Sequence, residues 1–160
     1  MTVLFQRHFQ TCYLVDDVKQ AMARFGENYG ITKWHVMDML EMMGEGAPAR
    51  FIALAWAGDM MIELIEPDEA VPSIYQEWQR DRGLESRFHH LGFLVYSEEE
   101  FSGIKQQLVE QGFPIVAEAE LGNVLKAAYM DTTKALGHFY ELIYLPDGES
   151  SQFFADVPFN

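Results

Sequence analysis

The feature that most constrains this chain is that it is written twice. Displaced by eighty residues, RHFQTCYLVDD (Arg7 to Asp17) falls on RFHHLGFLVYS (Arg87 to Ser97), so that Arg7 meets Arg87, Tyr13 meets Phe93, Leu14 meets Leu94 and Val15 meets Val95. A second match, MIELIEP against FYELIYLP at an offset of 78, pairs Glu63 with Glu141 and Leu64-Ile65 with Leu142-Ile143. A half-structure with one apolar face gains stability by covering that face with its twin, so two copies of one module are expected. At 160 residues there is room for one domain of ordinary size or two small modules sharing a core.

Each copy carries the same local signals. Asp17 with Gln20, and Ser97 with Glu100, are N-cap signatures in which a short side chain accepts from the orphan amides of the first turn. The helices that follow run through Val18, Met22, Phe25 and Tyr29, and through Phe101, Ile104 and Leu108, with apolar spacing near the helical period. They stop at Gly30 and Gly112, which suit a left-handed C-cap. Strands are expected next, over residues 33–41, 50–56 and 60–66 in the first copy, with GEGAP and AGD as turns. The second copy has them over 114–118, 124–131 and 138–144. The expected fold class is therefore α+β, built from two βαβββ modules. The first occupies residues 1–66 and the second 87–145, in one structural domain. Residues 67–86 form a linker with a short helix near 74–80, and the tail 146–160, with its polar-then-aromatic SSQFFADVPFN, packs onto something.

Composition narrows the partners. With 25 acidic against 11 basic residues the net charge is −14, which repels phosphate backbones and anionic lipid, so no nucleic acid or membrane partner is expected. Only Arg7, Arg50, Arg87 and Lys126 stand out as cations that a local anion pocket would draw on. The single cysteine, Cys12, excludes an internal disulfide and fits a reducing compartment. The first residues are broken by Gln6, Arg7 and His8, and no apolar run is long enough to cross a bilayer, so neither signal peptide nor span is expected and the location is read as cytoplasmic.

The matched centres of the first and last strands of each module hold Gln10, His90, Glu63 and Glu141. These are three oxygen donors and one imidazole, each set between apolar neighbours. Burying an unpaired polar group costs roughly 2 to 7 kcal/mol, and a charge costs more, so something must compensate them. A salt bridge to an arginine would serve for either glutamate alone. A divalent cation serves for all four at once, since two carboxylates offset its charge while imidazole and an amide oxygen complete four of six positions. Adjacent strand residues point to opposite faces, so only one of His89 and His90 is expected to face such a site. His8 lies two residues from Gln10, hence on its face, and is the alternative first ligand. Cys12 shares that parity but is read as packing, and the nine methionines as core or pocket wall.

Paired βαβββ modules carrying HLGFLV and IELIEP resemble the vicinal oxygen chelate superfamily of glyoxalases, bleomycin-resistance proteins and dioxygenases, over residues 7–145. The motifs are most similar to those of the glyoxalase I and methylmalonyl-CoA epimerase branch. The resemblance implies a curved mixed sheet around a central bowl. It implies one divalent ion there (Zn, Ni, Co, Mn or Fe), held by Gln10, Glu63, His90 and Glu141, with His90 facing the bowl and His89 the opposite side. It also implies a homodimer. Glutamine in place of the commoner first histidine argues against the ring-cleaving dioxygenases, whose sites resemble two histidines and one carboxylate.

Residues two away from the ligands are Met61 and Ile65, Phe88 and Gly92, and Phe139 and Ile143, which gives an apolar wall suited to a small molecule with an apolar body. The expected chemistry is metal-assisted proton transfer on a small carbonyl or thioester compound, an isomerase or lyase reaction with Glu141 and Glu63 as the proton carriers. The alternative is a non-catalytic protein that sequesters a drug in the same bowl.

Overall fold

A computed structural model describes residues 2–79, 83–148 and 151–160. In chain order its elements are β1 (His8–Val15), α1 (Val18–Tyr29), β2 (His35–Asp38), α2 (Met39–Met43), β3 (Ala49–Ala57), β4 (Met60–Pro67), α3 (Ile74–Gln79), β5 (Ser86–Val95), α4 (Glu98–Glu110), β6 (Ile115–Leu121), β7 (Leu125–Met130), α5 (Thr133–Leu136) and β8 (Phe139–Tyr144). The βαβββ order is present in both halves, and the protein is α+β. Arg80, the expected end of α3, lies outside the described residues.

The helices start where the caps predict. Asp17 Oδ1 accepts from Gln20 N at 2.9 Å, and Gln20 Nε2 returns to Asp17 Oδ2 at 3.0 Å. Ser97 Oγ accepts from Glu100 N at 3.1 Å, while the Glu100 carboxylate takes Arg7 instead of closing a box. Gly30 ends α1 in the left-handed region at φ 76°, where a side chain is strained. The strand expected over 33–41 spans only His35–Asp38, and residues 39–41 are helix. The Asp38 carboxylate accepts from Leu40 N and Glu41 N and caps α2, a local alternative to the ladder that aspartate offers and that the helix-forming MLEMM continues.

The chain packs as two compact units, Met1–Gln10 with His90–Ala155, and Thr11–His89 with Asp156–Asn160. In the first, β5, β8, β7 and β6 are neighbours in that order. The start of the chain joins through Leu94 N–H to Arg7 O at 3.1 Å. There α4 lays Phe101, Ile104 and Leu108 on Phe93, Val95, Ala128, Met130, Tyr140 and Leu142. Thr2 and Gln107 exchange two hydrogen bonds, and the Tyr140 hydroxyl donates to Leu4 O, tying the first residues to this core.

In the second unit the order is β2, β3, β4, β1. Val18, Ala21 and Phe25 of α1 pack on Val15, Ala53, Ala55 and Leu64. Cys12, Leu14, Ala49, Ile65 and Tyr75 form a separate cluster. The tail finds its target here. Trp56 N donates to Pro158 O at 2.9 Å, Phe159 stacks on Trp56, and Asn160 Oδ1 accepts from Thr32 N and Lys33 N at 2.9 and 2.8 Å. No helix among the described residues is long and apolar enough to cross a membrane.

Candidate functional site

In the first unit, alternation along β8 sends Tyr140 and Leu142 under α4 and turns Phe139, Glu141 and Ile143 the other way. Along β5, Leu91, Phe93 and Val95 pack toward α4, so His90 and Gly92 share the face of Glu141. The strands run parallel with Gly92 opposite Glu141. Across them His90 Nε2 lies 3.0 Å from Glu141 Oε2, and both side chains are buried. Gln10 arrives from β1, also buried, and it meets the same spot. A Cβ placed on Gly92 would sit 2.8 Å from Gln10 Oε1, 3.0 Å from Gln10 Cβ and 3.3 Å from Glu141 Oε2. The small space over Gly92 is thus bordered by an amide oxygen and a carboxylate oxygen, with an imidazole nitrogen in contact with the carboxylate. This mixed N/O donor set suits a divalent transition metal. The carboxylate faces a histidine, not an arginine.

Each of the four cations singled out in the sequence has a partner of its own. Arg7 pairs with Glu100, Arg87 reaches Asp16 Oδ1 at 2.5 Å and Leu84 O at 2.9 Å, Lys126 meets Glu98, and Arg50 lies over the Phe51 ring. The bond to Glu98 holds the Lys126 ammonium above the ordinary lysine range.

One parity argument from the sequence needs correction. His8 and Gln10, two residues apart, were expected on one face. His8 instead lies against Phe93, with ring centroids 5.3 Å apart, and its Nε2 is 2.9 Å from the Gln10 backbone oxygen. The strand's phase breaks between them, just after Arg7 with its φ of 57°, and it is Gln10 that stands at Gly92. His89 was expected to face the side opposite His90. In its own unit His89 sets its ring 5.2 Å from Tyr75, a member of the cluster containing Cys12, Leu14 and Ile65, while its neighbour Phe88 meets Tyr13 beside α1.

Glu63 belongs to the second unit. On β4 its neighbours Ile62 and Leu64 pack with α1, so Glu63 turns away from that helix with Met61 and Ile65, buried opposite Leu54 of β3. This is the face the alternation predicted. Cys12 packs as a small apolar residue.

Tyr129 was missed by the sequence reading. It stands directly across from Glu141 in the antiparallel β7–β8 ladder, is buried, and sets its ring 5.2 Å from that of His90 at an interplanar angle of 77°. Its signal was available only through the register of a hairpin, which fixes which β7 residue faces Glu141.

The comparisons with known proteins agree with this architecture. No curated protein matches the sequence. Among solved structures, the methylmalonyl-CoA epimerase of Mycobacterium tuberculosis is similar at 17% identity and a TM-score of 0.64, covering 91% of each chain. A Streptomyces coelicolor methylmalonyl-CoA epimerase variant in complex with 2-nitronate-propionyl-CoA is similar at 18% identity and 0.65, covering 90% of this chain and 97% of that one. A hypothetical protein from Bacillus halodurans follows at 21% identity and 0.61, with 86% and 92% covered. At such identities the likeness is one of fold. The family model for the Glyoxalase/Bleomycin resistance protein/Dioxygenase superfamily matches residues 9–129, well over half of the chain, and the protein belongs to that superfamily.

Proposed function

We propose that this protein is a divalent-metal-dependent epimerase or isomerase of the glyoxalase type, acting on a small carbonyl or thioester compound. The observation that carries the reading is the convergence of Gln10, His90 and Glu141 over the bare Cα of Gly92, with all three buried. Glu63, the repeat counterpart of Glu141, is the fourth donor in this reading. The epimerase folds described above support the choice of reaction.

These residues would hold a divalent ion, which would supply Lewis-acid polarisation of a substrate carbonyl. In this reading Glu141 takes the proton from the adjacent carbon, and Glu63, its equivalent in the other repeat, returns one to the opposite face. Gln10 and His90 stay fixed as neutral donors. Apolar Phe139 and Ile143, on the face of Glu141, exclude water from the reacting carbon.

The test is α-carbon deuterium exchange in D2O, using a panel of small 2-substituted acyl thioesters and α-oxo compounds with Co2+, Ni2+, Zn2+ or Mn2+ supplied. Metal-dependent exchange is expected, with a fall of at least about a hundredfold in Glu141→Gln, the usual size of a lost acid–base group. A protein that takes up no metal, exchanges no proton and yet binds a cationic drug would overturn this in favour of sequestration.

A further inference from the structure

Resting on the metal-centre reading above, we propose that Tyr129 is the positioning residue for His90: its ring fixes the plane of the imidazole so that Nε2 stays directed at the Glu141 side of the site. An imidazole turns freely between broad χ2 wells unless something packs against it. The contact across β5 and β8 is made at the tip of the ring, at His90 Nε2 and Glu141 Oε2, 3.0 Å apart. Tyr129 stands against the body of the ring.

Its centroid is 5.2 Å from that of His90 with the planes at 77°, an edge-to-face geometry that aromatic rings favour over a face-to-face sandwich. Tyr129 is itself fixed from two directions. Tyr129 is the cross-strand partner of Glu141, so the same ladder rung that places the carboxylate also places the phenol ring. Ala127 and Ala128 precede it on β7, and the adjacent Met130 is locked on the other face under α4. One residue is therefore rung neighbour to one donor and ring neighbour to another. The ring, not the hydroxyl, is what this geometry uses.

The experiment compares the full-length parent, Tyr129→Phe and Tyr129→Met, the last keeping apolar bulk without a flat ring. Two quantities are read: Co2+ affinity from its visible absorption, and the order of the His90 ring by 13C relaxation in histidine-labelled, metal-free protein. Tyr129→Phe is expected to bind Co2+ within twofold of the parent and to keep the ring rigid. Tyr129→Met is expected to lose about tenfold to a hundredfold in affinity, the usual cost of an outer-shell partner, and to loosen the His90 ring alone among the five histidines. Parental affinity and ring order in Tyr129→Met overturn the proposal, as does a Phe variant as weak as the Met one. A parent that binds no Co2+ refutes the metal reading instead. The ring measurement then decides by itself, with loosening in the Met variant supporting the positioning role and no change overturning it. If the Met variant does not fold, rigid rings in the parent and the Phe variant support the proposal and a mobile ring in either overturns it.

Discussion

Gly92 offers the sharpest test of the site's geometry. In Gly92→Ala the new methyl group would start 2.8 Å from Gln10 Oε1 and 3.0 Å from Gln10 Cβ, where ordinary contacts begin at 3.4 Å. Rotating the Gln10 amide clears the first contact but not the second, because Cβ is fixed to the β1 backbone. So the amide must swing away and the strand must give by a few tenths of an ångström. Overpacking of this kind costs about 1–3 kcal/mol, or a loss in Tm of roughly 2–4 °C per kcal/mol at this chain length. Removing an amide donor from the metal shell costs a further factor of about ten or more in affinity. Gly103→Ala in α4 is the control. Open space surrounds its Cβ position, so it is expected to gain about 0.5–1 kcal/mol from helix propensity. Thermal melts and Co2+ titrations of both variants decide the matter. A Gly92→Ala protein with parental Tm and parental metal affinity would refute the cradle.

Other consequences are as direct. Asp17 is held below the ordinary aspartate range, chiefly by the Gln20 backbone N–H and then by the Gln20 side chain. Its contribution is complete above the unfolded value, about 3.9, and fades as pH falls through the lower folded value; urea melts should show Asp17→Asn less stable than the parent at pH 6, with the gap closing as pH falls below the unfolded value. Tyr140→Phe loses the hydrogen bond to Leu4 O, which should lower stability by about 0.5–1.5 kcal/mol and speed amide exchange in the first residues; burial, with a lesser push from Glu100, also raises this phenol's pKa, so no titration below pH 10 should appear. His8→Ala should leave Co2+ affinity unchanged while Gln10→Ala weakens it, since only Gln10 borders Gly92; equal effects would contradict the assignment. Deleting Phe159 and Asn160 uncovers Trp56, and a red shift in tryptophan emission with a lower Tm is expected.

The module order, both helix starts and the faces of Glu63 and Glu141 were legible in the sequence, because caps, apolar spacing and strand alternation are local properties that a repeat states twice. Glu141 could be assigned to its face from Tyr140 and Leu142 alone. What failed was the inference that assumes an unbroken pleat. Gln10 parts from His8, because a strand's phase is set by the hydrogen bonds its neighbours offer. The Asp38 cap failed for a related reason: whether a carboxylate ends a strand or decorates it depends on the free amides ahead of it. Tyr129 and the bare Cα of Gly92 gain their meaning only from register, a relation between β7 and β8 and between β5 and β8. Sequence by itself determined which donors exist and which side of a strand they prefer; the tertiary structure decided which of them meet, since convergence depends on strands far apart in the chain being held side by side.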